Sequence, residues 1–222
     1  MARLSYPRAG EPRPAALPPE TRTVGQVVAE SVRIYSERFV RCLAIGVVPA
    51  ALTLASAHVS RRLALILTPT LYGALLSATF VYASTVVLEQ RPPFARLTRA
   101  WLAGWLVFVP APFLLLGFIL PALAWLAALG LVVPVLVVED LGLRAALARA
   151  WQLARADYVH VLGSLATLAI LVLVTQGVLA FIIRGAAREA LETAFVLASV
   201  VISPLVFIGA ALLYVDQTAR VE

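Results

Sequence analysis

The stretch VVEDLGLRAALARAWQLARADYVHVLG, residues 137–163, carries three arginines and three acids between two runs too apolar for water. At 100° per residue, Leu143, Leu147, Trp151, Ala154 and Tyr158 fall on one helical face. Arg144, Arg149, Gln152 and Arg155 fall on the other. A helix sided in this way between apolar runs is expected to lie flat at a membrane surface, apolar side to the bilayer and arginines to the headgroups. It then leads into a span at 159–183. The fold class that follows is all-α integral membrane, with interfacial amphipathic helices.

The rest of the chain agrees. It has 222 residues, is 62% hydrophobic and 14% charged, and has a mean hydropathy of +0.94. A soluble domain is nearer half apolar and a quarter charged. Apolar runs longer than about 18 residues recur, which is the signature of membrane spans. Six are expected. The first covers 40–59 with a kink at Pro49, and the second covers 63–88. Residues 101–138 carry no charge, and as one helix would measure about 57 Å, close to two bilayer cores of ~30 Å. They therefore read as a hairpin, 101–116 and 122–138, with the break at 117–121. The fifth and sixth spans are 159–183 and 194–214. Segments 60–62, 89–99 and 184–192 connect them, and 215–222 is a tail. Trp101, Trp105 and Trp125 suit either interfacial anchoring or packing between helices.

The first 22 residues are rich in proline and have no apolar core of the 7–15 residues that a cleavable signal needs. They read as a disordered cytoplasmic tail preceding a polytopic membrane domain at 23–222, so the first span must do the targeting. Thr23 and Gln26 form a T-x-x-Q capping box that starts a helix. In it Val24, Val27, Val28, Ser31, Val32, Ile34, Tyr35 and Phe39 share a face opposite Gln26, Glu30, Arg33 and Glu37. This is a second expected surface helix.

All 18 basic residues are arginine, which fits the codon usage of a GC-rich genome. The pI near 10.2 does not point to nucleic acid here, because arginines flank membrane spans as topology signals and meet anionic headgroups. Fourteen arginines fall on the side of the chain's two ends: seven up to Arg41, then Arg91, Arg96 and Arg99, then Arg144, Arg149 and Arg155, then Arg220. Arg61, Arg62, Arg184 and Arg188 fall on the other. The expected topology has both termini inside, in a bacterial cytoplasmic membrane. The lone Cys42 excludes an internal disulfide and reads as a small buried hydrophobe.

An internal repeat is also visible. VRIYSERFVRCL (residues 32–43) and WQLARADYVHVL (151–162) both pass from a sided helix into a span, with Phe39 opposite Tyr158 and Leu43 opposite Leu162. RPPFARLTRAWLAGWL (91–106) is a candidate third copy, against the alternative of chance likeness among apolar segments.

The opening stretch resembles the central signature of a bacterial family of six-span membrane proteins related to the membrane domain of glycerophosphoryl diester phosphodiesterases. That signature is an acid and glycine, an alanine-leucine helix, then R-S-W-x-L-x-R-G. Arg149, Trp151, Leu153 and Arg155 match, while Ala150 and Ala156 replace serine and glycine. TVGQVVAESVRIY is similar to the family's opening surface helix. LLYVDQTARVE resembles its closing Y-x-D-x-R-x-R through Tyr214, Asp216 and Arg220, with Thr218 in place of the first arginine. The resemblance runs from about Thr23 to Glu222. It implies a helical membrane domain of unknown role. In that relative catalysis belongs to a separate soluble domain, so no diesterase activity is implied.

The chemistry-bearing residues point away from an enzyme. No Asp, Glu, Arg or His lies in the middle of an expected span, where a charge costs roughly 2.5–3.5 kcal/mol and marks ion paths or catalysis. There is no H-E-x-x-H, G-x-S-x-G or phosphate loop. His58 and His160 belong to opposite membrane faces and cannot share a metal. Glu139 and Asp140 read as a cap for the helix that follows. Gln176, the most polar residue deep in a span, is expected to bond a neighbouring helix. Asp216 is expected either to pair with Arg149 or Arg155, tying the tail to the surface helix, or to be solvated. No cofactor or metal is expected. The expected role is a non-catalytic domain binding membrane lipids, a membrane protein partner or a second copy of itself. The alternative is a small transporter or permease component for a neutral or amphipathic solute. A polar cavity around Gln176, Ser77, Thr79 and Ser84 would favour that alternative, and a packed core would favour the first.

Overall fold

The computed structural model describes residues 18–60, 62–63, 67–185 and 187–222. Most of the N-terminal stretch expected to be disordered, residues 1–17, lies outside them. The remainder of that stretch belongs to the fold: Pro19–Thr21 forms a 3-10 turn and Arg22 is buried.

The described residues are helical, with no strand among them. Helix α1 (Val24–Glu37) starts at the capping box, where the Thr23 amide donates to Gln26 Oε1 at 2.7 Å. It stops at Arg38, whose backbone leaves the helical region (φ −122°, ψ 36°). Helix α2 (Phe39–His58) follows at a bend of 108° and carries Pro49 inside it. A π-turn over Thr68–Tyr72, containing Pro69, opens α3 (Gly73–Val87). Then come α4 (Phe94–Phe108), α5 (Ala111–Gly117), α6 (Ile119–Leu129) and α7 (Val132–Val138). Helices α8 (Leu143–Ala156), α9 (Tyr158–Ile182) and α10 (Arg188–Val221) complete the chain.

Five stretches are long and apolar enough to cross a membrane: Pro69–Val87, Phe94–Leu115, Ile119–Val138, Tyr158–Ile182 and Glu189–Val221. Counting the bent pair of α1 and α2 as one span brings the number to six. The uncharged run turns at Phe118, an extended residue (φ −157°, ψ 154°) inside the expected break. Each arm is also interrupted once, at Val109–Pro110 and at Gly130–Leu131, so neither is one continuous helix.

Helix α10 is the central post. It packs on α1, α2, α3, α8 and α9. At its contact with α2 the backbones nearly touch: a Cβ on Gly46 would collide with the Val200 carbonyl. Close approach through a small residue is how helices gain dispersion contacts where lipid gives no hydrophobic drive. The tryptophans serve packing. Trp101 Nε1 donates to Ala74 O at 2.8 Å, Trp105 to Thr70 O at 3.0 Å and Trp125 to Val107 O at 2.8 Å. The first two bonds join α4 to the α3 region, and the third joins α6 to α4.

Helix α10 corrects the expected last span. It has 34 residues, about 51 Å, where a bilayer core needs ~30 Å. It takes in most of the expected loop at 184–192 and nearly all of the expected tail at 215–222. Asp216 and Gln217 are fully buried within it. The surplus length includes a polar end, Asp216 to Arg220.

The two sided helices have equal length, 14 residues each, and each ends at a single non-helical residue, Arg38 or Asp157. Burial matches at aligned positions: Val40 and Val159 are 79% and 80% exposed, Cys42 and Val161 0% and 1%. The candidate third copy lacks this elbow, because α4 runs unbroken through it. Helix α8 divides between a side on the bundle and an open side. The fully buried side is Ala146, Ala150, Leu153 and Ala154, packed on the bundle, while Leu143 and Trp151 stay exposed. Alanine is a weak apolar signal in sequence, yet its small size is what lets α8 sit close to its neighbours.

Candidate functional site: the arginine-rich end

The chain order brings one set of helix ends together: the starts of α1, α2, α4 and α9 with the ends of α3, α7 and α10. Two polar clusters hold this end closed.

The first is built on the acids that follow α7. Glu139 Oε1 accepts from the Tyr214 hydroxyl at 3.0 Å and from Arg149 Nε at 3.5 Å. Asp140 lies between Arg99 (3.0 Å) and Arg96 (3.4 Å), which also donate to the Leu141 and Val138 carbonyls. The expectation that these acids cap α8 is corrected: its N-cap is Gly142, with no side-chain bond. The carboxylates instead meet arginines from α4 and α8 and a tyrosine from α10.

The second cluster surrounds Asp216. Its Oδ1 accepts from Arg22 Nη1 at 2.6 Å, with side chains 0% and 7% exposed, and its Oδ2 is 3.7 Å from His160 Nε2. Asp157, the elbow residue, caps α9 through a bond from the His160 amide at 3.0 Å and pairs with Arg220. Arg220 also donates to the Arg22 carbonyl at 2.9 Å. The expected pairing of Asp216 with Arg149 or Arg155 is therefore corrected. Asp216 faces Arg22, ahead of α1, and the alternative of a solvated Asp216 is overturned as well. Arg149 is already taken by Glu139. Arg155 stands over the Trp151 ring at 6.0 Å, near the limit of a cation–π contact.

Among the expected site residues, Arg149 and Tyr214 thus meet at Glu139, and Asp216 and Arg220 meet through Arg22. Trp151 and Arg155 are on the exposed side of α8. Gln176 lies far from this end; its Nε2 is 3.4 Å from Ser199 Oγ, which also approaches Thr53 Oγ1 at 3.4 Å, joining α9, α10 and α2. Arg22, Asp157 and His160 were not expected here. Arg22 and Asp216 are 194 positions apart, a pairing that no local periodicity encodes. The one usable signal was an aspartate at the elbow of a helix followed by a span.

The chemistry of this end is charge neutralisation. The carboxylates of Glu139, Asp140, Asp157 and Asp216 face arginines, and Asp216 is sealed from solvent. Among the described residues no three His, Cys, Asp or Glu side chains gather as a metal site would require. Ser77 donates to Trp101 O at 2.7 Å, Thr79 to Leu75 O at 2.9 Å, and Ser77 and Ser84 are fully buried. Arg41, Arg91, Arg144 and Arg155 are exposed and make no ion pair among the described residues. Compared with models of protein families, with curated proteins and with solved structures, the chain matches none.

Proposed function

We propose that this chain is a non-catalytic, multi-pass domain of a bacterial cytoplasmic membrane that binds anionic lipid and holds it, or a membrane partner, at its arginine-rich face. In this reading it crosses the membrane six times, with α1–α2 as the first crossing and both ends inside. Helices α1 and α8 lie at the inner interface, each with one side against the bundle and an apolar edge toward lipid. The resemblance to the membrane domain of glycerophosphoryl diester phosphodiesterases fits this arrangement.

One contrast carries the reading. The polar residues inside the bundle are packed between helices, and Ser77, Thr79 and Ser84 of α3 are buried there rather than open to a polar cavity. Of the exposed arginines without a carboxylate among the described residues, Arg41, Arg91, Arg144 and Arg155 stand at this end, against Arg62 and Arg184 on the other side, and each near an anionic surface adds about 1 kcal/mol of attraction. A transporter of a neutral or amphipathic solute is the second reading. It is favoured by an open groove of about 630 Å³ between α2, α3 and α5–α6, lined by Leu52, Tyr72, Leu115 and Leu123.

Mass spectrometry of what copurifies in mild detergent tests the proposal. Enrichment of anionic phospholipid, or of one membrane protein, over the host membrane is expected. Host proportions of lipid with no companion protein would count against it.

A further inference from the structure

A cleft of about 550 Å³ opens where α2 begins and α3 ends. Its size is in the ~300–1,000 Å³ range of small-molecule sites. Arg38, Arg41 and Arg91 line it together with Tyr82, Glu89 and Gln90. Three guanidinium groups thus face a single carboxylate. Arg38 is committed: it donates to the Val86 carbonyl and pairs with Glu89. Glu89 adopts the left-handed conformation (φ 53°), rare for a residue with a Cβ, and this turns the chain after α3 so that Gln90 and Arg91 close the cleft. Arg41 and Arg91 are exposed, with no ion pair among the described residues. The cleft therefore holds more positive charge than its own acid can balance.

The surroundings decide which anion fits. Phe39, Val40 and Phe94 are exposed apolar side chains beside the cleft, and Tyr82 is an exposed aromatic within its wall. Such residues belong at the boundary between acyl chains and headgroups. Arginine at that level extends an apolar stem and keeps its guanidinium at phosphate height, where its fork matches two phosphate oxygens. We propose that this cleft is a specific site for the phosphate of an anionic phospholipid headgroup, clamped by Arg41 and Arg91, with Gln90 offering an amide donor to the headgroup. The proposal rests on the lipid-binding reading above and gives it a location.

The test uses the full chain in detergent, with dioctanoyl phosphatidylglycerol and dioctanoyl phosphatidylcholine as probes and native mass spectrometry as readout. The intact protein should prefer phosphatidylglycerol. The variant Arg41→Gln/Arg91→Gln should lose about 30-fold in that affinity and none for phosphatidylcholine. Arg144→Gln/Arg155→Gln, on α8, removes the same charge away from the cleft and should lose clearly less affinity, because only the diffuse attraction of the surface goes with it. Arg41→Lys/Arg91→Lys keeps the charge but not the fork, so it should recover part of the binding, and it serves as the folding control. Equal losses in the two glutamine variants would mean diffuse attraction and overturn the site. Loss only on α8 would overturn the site and leave lipid binding standing. No preference for phosphatidylglycerol in the intact protein would remove both. Displacement of the lipid by an equal concentration of glycerol 3-phosphate would assign the cleft to a free phosphate ester and overturn the lipid assignment.

Discussion

Removing Asp216 should unbalance the closed end of the bundle more than removing any other carboxylate there. Its partner Arg22 lies 2.6 Å away, and the two side chains are 0% and 7% exposed. Taking away one member of a buried pair strands the other charge without water, which costs roughly 3–5 kcal/mol. Asp216→Leu and Arg22→Met should each fall in that range. Replacing both with apolar residues of similar bulk, Arg22→Met/Asp216→Leu, should return stability to within about 1 kcal/mol of the original, because no charge is then left buried. Glu89→Gln is the comparison. Glu89 pairs with Arg38 but is largely exposed, so its loss should cost only ~0–1 kcal/mol. The assay is unfolding of the purified protein by SDS in mixed micelles, followed by helical circular dichroism. It is run at pH 8, where an ordinary imidazole is neutral and His160 cannot substitute for Arg22. Single losses below about 1 kcal/mol, or losses that simply add in the double variant, would refute the buried pair.

Other expectations follow from particular contacts. Gly46→Ala should destabilise by about 1–3 kcal/mol or more, because its Cβ meets the Val200 backbone. Gly25→Ala, with open space around it, should be neutral or slightly stabilising in the same SDS titration. Tyr214→Phe removes the bond to Glu139 and should cost about 1 kcal/mol with no change in helix content. Spin labels at Arg144 and Gln152 should be relaxed by a water-soluble nickel reagent, and labels at Val32 and Leu143 by oxygen dissolved in lipid. Uniform accessibility would contradict an interfacial position for α1 and α8.

Much of the helical skeleton was legible because its signals are local. The capping box at Thr23 and Gln26, the apolar run beginning at Tyr158 and the break near Phe118 each depend on a few adjacent residues. The elbows after α1 and α8 could be aligned because Phe39 and Tyr158 follow sided helices of the same length. What stayed hidden depends on partners far away in sequence. Arg22 stood in a proline-rich stretch with every mark of a tail, and only its contact with Asp216 makes it part of the fold. Glu139 and Asp140 satisfy the local grammar of a cap, but arginines from other helices claim them first. The side of α8 that packs on the bundle, Ala146, Ala150, Leu153 and Ala154, was not legible because a periodicity argument weights leucine and tryptophan, whereas the neighbouring helices select the smaller alanines. The cleft between α2 and α3 draws Arg41 from the first turn of α2 and Arg91 from the connection after α3, so no single motif announces it.

The proposed six-span arrangement requires both ends of the chain on the cytoplasmic side with the arginine-rich clusters. The most direct test is a pair of reporter fusions in a bacterial host. One is placed after Glu222 and the other in the connection before α10, at Gly185. A reporter fluorescent only in the cytoplasm should light up after Glu222 and stay dark at Gly185, and a phosphatase active only outside should give the reverse. Phosphatase activity after Glu222 would contradict the six-span arrangement and turn the arginine-rich end away from the inner leaflet.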